Sequence, residues 1–355
     1  MWDYRRARGL RTIPPRTFDA CDGPWAATPR AEKEALNVTT SKRRILVTGS
    51  VGQIGSELTP ALREMYDNEN VVAAGHRTPP SAELRDAGPF ETVDVTDRSQ
   101  FDAVLDKHEI NTVYHMAAIL SARGEQNPGL AWRVNIEGLV AVLEAARERG
   151  LQIFVPSSIA VFGPETPRDC APQETVLLPT TMYGVTKVTG ELLCEYYANR
   201  FDVDVRGLRY PGIISSETPP GGGTTDYAVE IFYKAIEDGR YTCFVRPDTR
   251  LPMMYMPDCI KATIDLMHVD RSRLTHHANF NVGAMSFSAE ELADEIRKHM
   301  PGFACEYEPD FRQAIADSWP QALDDTAARK EWGWEPSFDL AAMTADMLTR
   351  LRERL

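Results

Sequence analysis

A short apolar run that leads directly into three regularly spaced glycines constrains the fold of this chain more than any other feature. Residues 44–48 predict a buried strand, Gly49, Gly52 and Gly55 follow it, and apolar residues then recur at helical spacing between positions 54 and 65. In such a strand–turn–helix unit, glycines permit a tight turn, close approach of a pyrophosphate and packing of the helix on the strand. The helix N-terminus adds N–H groups and partial positive charge, so a dinucleotide site is predicted here.

Strand and helix patterns alternate along most of the chain. This alternation predicts an α/β fold, with a doubly wound parallel sheet of the Rossmann type and a smaller C-terminal substrate-binding lobe. One continuous strand is expected over 203–209, followed by a turn over 210–214. The predicted boundaries are 43-215 for the dinucleotide-binding domain, with 245-283 returning to it, and 216-244 with 284-355 for the lobe.

Composition limits the partners of the chain. The formal net charge of −13 disfavours nucleic acid and anionic membranes, and 43% hydrophobic with 26% charged residues is typical of a globular protein. No apolar run is long enough to cross a bilayer. The six cysteines lack the close spacing of a zinc site, so no metal is predicted and reduced thiols are expected.

Residues 1-42 differ from the rest of the chain. Five arginines and one acid fall within the first eighteen residues, as in a mitochondrial transit peptide, whereas Pro14, Pro15 and the later acids are typical of a disordered tail. The expectation is a plain tail and a cytoplasmic protein. A mitochondrial matrix location is the alternative, if this segment acts as a transit peptide.

Tyr183 and Lys187 form the predicted catalytic pair. Their four-residue spacing places both on one face of a helix. The lysine cation is expected to lower the pKa of the tyrosine, so that the phenolate takes a proton from an alcohol while hydride leaves for a nicotinamide. Ser158, which follows a predicted strand over 151–155, would hydrogen-bond the reacting oxygen.

Further residues at the carboxyl ends of predicted strands complete the expected cofactor site. Position 75, where NAD-binding proteins usually carry an acid for the ribose 2′-hydroxyl, is Gly75, followed by His76 and Arg77. The residues leave the choice between NAD and NADP open, because the acid is missing. The other predicted contacts are Val51, Gln53, Ile54, Asp94, Val95, Ala117, Ala118 and Tyr210.

A glycine-rich loop over 219–226 is the predicted substrate element. Its glycines, the hydroxyls of Thr224 and Thr225, and the helix that follows suit a small anion such as a carboxylate. A solvated loop with a capping Asp or Thr is an equal alternative. Ser121, at the same sheet edge, is a candidate substrate contact, and Trp319 either closes the pocket or belongs to the core.

Taken together, these motifs resemble the extended short-chain dehydrogenase/reductase (SDR) superfamily, which includes NAD-dependent epimerases and dehydratases. Within it they resemble the short-chain type L-threonine 3-dehydrogenase family. The resemblance covers about residue 43 to the C-terminus. It is carried by residues 115–125, 208–215, 221–228, 250–255, 284–287, 317–320, 324–325 and 329–334.

This resemblance implies oxidation of the L-threonine β-hydroxyl to 2-amino-3-oxobutanoate with transfer of hydride to NAD. It assigns Tyr183 as the general base, Lys187 as its electrostatic partner and nicotinamide-ribose ligand, and Ser158 as the hydroxyl binder. The family normally has Asp at position 75, so Gly75 is a departure, whereas Arg77 is usual for the family; position 158 is often Thr. It also implies a homodimer formed through the two long helices that flank the sheet, including the one that bears Tyr183.

Two other functions remain as alternatives. A nucleotide-sugar epimerase or dehydratase of the same superfamily carries a phosphate-clamping Arg where this chain has Leu251, although Arg250 is adjacent. A non-catalytic dinucleotide-binding scaffold would not need the activated phenol of the Ser158–Tyr183–Lys187 set.

Overall fold

The fold is built from mainly parallel strands joined by helices. The computed structural model describes residues 43–355, so the predictions made for residues 1–42, a tail or a targeting segment, lie outside the described residues. The strands of the described region are β1 (Ile45–Thr48), β2 (Val71–Gly75), β3 (Phe90–Thr92), β4 (Thr112–His115), β5 (Gln152–Phe154), β6 (Ser157–Ser158), β7 (Asp204–Arg206), β8 (Leu208–Tyr210), β9 (Gly212–Ile214), β10 (Arg240–Cys243), β11 (Arg250–Tyr255), β12 (Phe280–Asn281), β13 (Met285–Ser288) and β14 (Ala304–Tyr307).

Helices connect these strands and cover the sheets. In the described region they are α1 (Gln53–Tyr66), α2 (Ala82–Asp86), α3 (Arg98–Lys107), α4 (Ser121–Gln126), α5 (Pro128–Trp132), α6 (Gly138–Arg149), α7 (Met182–Phe201), α8 (Tyr227–Asp238), α9 (Met256–His268), α10 (Ala289–His299), α11 (Arg312–Ala316), α12 (Thr326–Trp332) and α13 (Leu340–Arg354).

Six parallel strands form the central sheet, in the order β3-β2-β1-β4-β5-β7. Its faces are both buried, because Ile45 and Val47 of β1 join one hydrophobic cluster and Leu46 joins another. The strand order reverses between β1 and β4, where ligands of such sheets bind at the carboxyl ends. The α/β doubly wound sheet predicted from the sequence is confirmed.

The chain leaves the central sheet earlier than predicted. Instead of one strand over 203–209, β7 ends at Arg206 and β8 starts at Leu208, in a separate sheet with the order β12-β8-β6. The predicted turn over 210–214 is also wrong, because Gly212–Ile214 is a strand, β9, that pairs with β11. Apolar and β-branched residues continue through this stretch, so local pattern does not reveal the change of partner.

Helix α1 keeps most of its predicted apolar face. Leu58 and Leu62 are buried, but Met65 is 52% exposed and Arg63 is buried instead. The Arg63 guanidinium donates hydrogen bonds to the carbonyl oxygens of Val71, Leu84 and Pro89. These bonds satisfy the buried charge and tie α1 to the end of the sheet that lies opposite the glycine turn.

A third hydrophobic cluster packs α8, α10 and α13 against β11 and β13. Residues 43–355 all lie within one compact unit, and its division into a dinucleotide-binding domain and a lobe stays a prediction. None of the helices in this region has the length and apolar character needed to cross a membrane. The same residues include no group of three or more His, Cys, Asp or Glu side chains arranged to hold a metal ion.

Candidate active site

Two neighbouring cavities of about 250 and about 280 Å³ lie at the carboxyl ends of the central strands. Gly49, Gly52, Met116 and Ala118 line both cavities, so they form two ends of one groove that meet at the glycine turn. A groove with this division fits a dinucleotide, which has two nucleotide halves joined by a pyrophosphate.

The predicted cofactor residues all lie on this groove. They form two groups. One group lines the larger cavity, at the expected adenosine end, and the other lines the smaller cavity, at the expected nicotinamide end. The first group is Val51, Arg77, Asp94, Val95 and Ala117, and the second is Gln53, Ile54, Gly55, Tyr183, Lys187 and Tyr210.

The glycine turn has the geometry that phosphate binding requires. Gly49 has a φ of +67°, and a Cβ atom there would lie 2.7 Å from the backbone nitrogen of Ala117. Helix α1 starts after Gly52 without a side-chain cap, so its first N–H groups have no partner within the helix. Gly52 lines both cavities and the first residues of α1 line the smaller one, so the turn fits an anionic group.

Tyr183 and Lys187 lie in the first two turns of α7, which starts after the capping residue Thr181. The Lys187 ammonium is 5.5 Å from the centre of the Tyr183 ring. Its Nζ atom donates a hydrogen bond of 2.6 Å to the carbonyl oxygen of Pro156. The helix thus fixes the predicted pair on one face, as expected.

The predicted effect of Lys187 on the tyrosine is wrong. Burial raises the pKa of Tyr183 to about 12, and the only opposing contribution comes from a hydrogen bond with Ser158. Burial also lowers the pKa of Lys187 to about 8, against the opposing charge of Glu191. Lys187 is therefore the member of the pair that loses its proton first, because burial disfavours the charged form of each group.

Ser158 reaches the pair because the segment that carries it packs against α7. Strand β6 pairs with β8, which places Ser158 opposite Tyr210. A Cβ atom on Gly184 would lie 2.2 Å from the carbonyl oxygen of Ala160, so glycine is needed for this approach of the helix to the chain after Ser158. Ser158, Tyr183 and Lys187 consequently line one cavity.

A buried ion pair beneath the site was missed by the sequence analysis. Glu191 and Arg209 pair at 2.7 Å with side chains only 6% and 3% exposed. The Glu191 carboxylate also accepts a hydrogen bond of 2.5 Å from the hydroxyl of Ser157. Together with Lys187, Glu191 thus fastens residues 156–158 to α7. The only local signal is that Glu191 follows Lys187 by one helical turn.

Asn135 is a second buried polar residue with a positioning role that sequence reasoning missed. It lies in a π-helical turn, Arg133–Glu137, rather than in a regular helix. Its side chain accepts from the Ile119 N–H at 2.7 Å and donates to the Ile119 carbonyl and to the Thr186 hydroxyl, both at 3.0 Å. Asn135 thus connects Ile119, which follows β4 and lines the groove, to α7.

The predicted substrate residues meet at the smaller cavity. Ser121, Thr224, Thr225 and Trp319 line it together with Ser158 and Tyr183. Trp319 is 7% exposed and also belongs to the third hydrophobic cluster, so both roles considered for it fit its position.

Asp226 changes the expected role of the glycine-rich loop. Its carboxylate accepts hydrogen bonds from the N–H groups of Gly221 at 2.6 Å and Gly223 at 2.8 Å, and its side chain does not cap α8. These two N–H groups are therefore engaged within the loop. The hydroxyls of Thr224 and Thr225 are the loop's side-chain donors on the cavity wall.

The place of a phosphate-clamping arginine is filled by an apolar residue. Leu251 is fully buried in the third cluster. Arg250 donates to the carbonyl oxygen of Ser286 at 2.8 Å and pairs with Glu291. Neither residue lines the groove, which disfavours a nucleotide-sugar substrate.

Comparisons with known proteins agree with this architecture. The family model for the NAD dependent epimerase/dehydratase family matches residues 45–283. An uncharacterized epimerase/dehydratase of Staphylococcus haemolyticus is 51% identical over 312 residues, which cover 88% of this chain and 98% of that protein.

Two solved structures are also similar. The X-ray structure of L-threonine dehydrogenase from Clostridium difficile has a TM-score of 0.87 and 49% identity, with 88% of this chain and 98% of that chain covered. A monomeric L-threonine 3-dehydrogenase from a metagenome, in its apo form, has a TM-score of 0.84 and 50% identity. The match covers 87% of this chain and 99% of that chain. The chain therefore belongs to the NAD dependent epimerase/dehydratase family.

Proposed function

We propose that this protein is an L-threonine 3-dehydrogenase that oxidises the β-hydroxyl of L-threonine to 2-amino-3-oxobutanoate. The observation that carries the proposal is that Ser158, Tyr183 and Lys187 share one small cavity with the hydroxyls of Thr224 and Thr225, at one end of a dinucleotide-sized groove. Similarity to two L-threonine dehydrogenases over nearly their whole length supports this choice of substrate.

In this function, bound NAD or NADP supplies the hydride acceptor. The Tyr183 oxygen takes the proton of the β-hydroxyl as the C–H bond is broken and the carbonyl forms. The phenol's own proton passes towards Lys187, whose Nζ atom lies 5.5 Å from the centre of the Tyr183 ring and is a neutral amine above a pKa of about 8. The Ser158 hydroxyl donates to the reacting oxygen and holds it beside the phenol.

The cavity also fits the size and charge of the amino acid. A cavity volume of about 250 Å³ suits a small substrate. We assign the hydroxyls of Thr224, Thr225 and Ser121 to the carboxylate and ammonium groups. Trp319 forms the wall that limits the length of the substrate.

We expect L-threonine to reduce NAD, NADP or both, supplied separately, as followed by absorbance of the reduced nicotinamide. The analogue 1-amino-2-propanol has the same alcohol but no carboxylate, and we expect its kcat/KM to be roughly tenfold to hundredfold lower, because charge-assisted hydrogen bonds are lost. Absence of reduction with either cofactor, in protein shown to bind it, would refute the proposal and direct the assay to nucleotide sugars.

The assembly proposed with this function is a homodimer formed through α5 and α7. Trp132, Val185, Leu192 and Tyr196 are large apolar residues of these helices that are between 40% and 67% exposed. Val185, Leu192 and Tyr196 are spaced seven and four residues apart on one face of α7, where a partner surface is expected to pack. The similar metagenomic enzyme is described as monomeric, so the assembly has to be measured.

Light scattering is expected to give twice the chain mass of 39.7 kDa. Leu192→Glu, which puts a charge on the proposed interface, should shift the protein to the single-chain mass. Met65→Glu makes the same kind of change on the 52% exposed Met65 of α1 and should leave the dimer intact. A wild-type protein of single-chain mass would contradict the dimer.

A further inference from the structure

We propose that the adenosine end of the groove accepts the 2′-phosphate of NADP, and that Arg77 is the residue that binds it. This inference rests on the proposed function only in using the same dinucleotide site. It adds a determinant of cofactor choice, which the general fold does not specify.

The first observation is the missing acid at the end of β2. In NAD-selective proteins, a carboxylate at this place bonds the ribose 2′-hydroxyl and repels a 2′-phosphate. Here the last residue of β2 is Gly75, which lines the larger cavity without a side chain. The cavity therefore lacks the group that normally excludes NADP.

The acid that does line this cavity is engaged by its own turn. The Asp94 carboxylate accepts hydrogen bonds from the Thr96 N–H at 3.0 Å and the Thr96 hydroxyl at 2.7 Å. Its other oxygen lies 3.7 Å from Nε2 of His76. Hydrogen bonds to Thr96, with the nearby His76 and Arg133, hold the pKa of Asp94 below its usual value despite its partial burial. This carboxylate is thus stabilised by local partners and does not replace the missing acid.

The remaining charges on the cavity wall are positive. Arg77, Arg123 and Arg133 line it, although the whole chain carries a net charge of −13. Arg77 follows Gly75 by two residues and lines the same cavity. Its side chain is exposed and makes no hydrogen bond or ion pair within residues 43–355. A guanidinium with its donors available can bind a phosphate in bidentate fashion.

The test compares two ligands that differ only in the phosphate. Titration calorimetry of the full chain with ADP-ribose and with its 2′-phosphate needs neither threonine nor hydride transfer, so failure of threonine oxidation would leave the result intact. We expect the wild-type protein to bind the phosphorylated ligand at least as tightly as ADP-ribose. This preference should weaken with added salt, since it depends on charge.

Arg77→Gln is expected to weaken binding of the phosphorylated ligand by about tenfold to hundredfold and that of ADP-ribose by less than about twofold. Arg85→Gln is the matched control, because Arg85 is an exposed arginine of α2 that pairs with Asp86 and lies outside the cavity. It should change neither affinity.

Gly75→Asp tests the same site by adding the acid that NAD-selective proteins carry there. A Cβ atom at this position would lie 3.1 Å from Cζ of Phe90 and 3.5 Å from Cγ1 of Val51, so the Phe90 ring has to move slightly. Provided that thermal unfolding shows a folded protein, the variant should bind the phosphorylated ligand at least tenfold more weakly than wild type does. If this variant does not fold, the ligand affinities of Arg77→Gln and of the wild-type protein still test the inference.

Two results would overturn the inference. One is a wild-type protein that binds ADP-ribose more tightly than its 2′-phosphate. The other is an Arg77→Gln variant that loses affinity for both ligands equally, as stacking of Arg77 on the adenine would produce, or for neither.

Discussion

Tyr183→Phe is expected to lower kcat for threonine oxidation by roughly 10²–10⁴-fold, the range that general acid–base catalysis contributes. Phenylalanine keeps the ring that packs beside Lys187 and the third hydrophobic cluster, and it removes only the hydroxyl. Cofactor affinity, measured by calorimetry, should therefore change by less than about threefold. This separation of turnover from binding is what a proton-transferring role for Tyr183 requires.

The matched control is Tyr66→Phe, which deletes the same atom at the far end of α1. The Tyr66 hydroxyl bonds His268 and does not line the groove, so this variant should keep wild-type turnover. Turnover of Tyr183→Phe within a factor of ten of wild type would remove Tyr183 as the base. In that case the cavity would still bind the substrate, but another group would have to take the proton.

The groove could be predicted from the sequence because its parts depend on local rules. Gly49 has the positive φ that the turn after β1 needs, and α1 begins directly after Gly52. Residues that follow successive parallel strands, such as Ala118 and Ser158, necessarily meet at one sheet edge. For this reason the predicted contacts that follow these strands lie on the two cavities.

The support beneath the site could not be predicted, because it depends on partners far apart in the chain. Asn135 bonds Thr186, 51 residues away, and Glu191 pairs with Arg209 of a strand that had been expected in the central sheet. Only tertiary packing brings these groups together. A buried polar residue in a helix indicates that a partner exists, but not which one.

The titration of the catalytic pair differs from expectation for a related reason. The spacing of Tyr183 and Lys187 predicts a charge effect, whereas the structure makes burial the larger cause for both groups. Opposite charge and desolvation move the pKa of a tyrosine in opposite directions. Which of them is larger depends on how much water the surrounding elements exclude, and a single sequence does not contain this information.

Lys187→Met should move the pH dependence of kcat to much higher pH. In the wild-type protein the first proton of the pair leaves Lys187, with a pKa of about 8. Below that pH, phenol and ammonium are both protonated and the pair cannot accept the substrate proton, so kcat should rise as the pH increases through about 8. Burial raises the pKa of Tyr183 to about 12, and this group then governs the variant. At pH 8 we expect a loss of roughly 10³–10⁴-fold.

Measurement at saturating cofactor separates this effect from weaker dinucleotide binding, since the resemblance to short-chain dehydrogenases also makes Lys187 a ribose ligand. Lys234→Met, which removes a surface lysine paired with Glu237 on α8, should keep the wild-type profile. Profiles with the same midpoint in Lys187→Met and wild type would exclude Lys187 as the proton acceptor. A uniform loss at every pH would leave it only a binding role, because an electrostatic or proton-accepting group must change how the rate depends on pH.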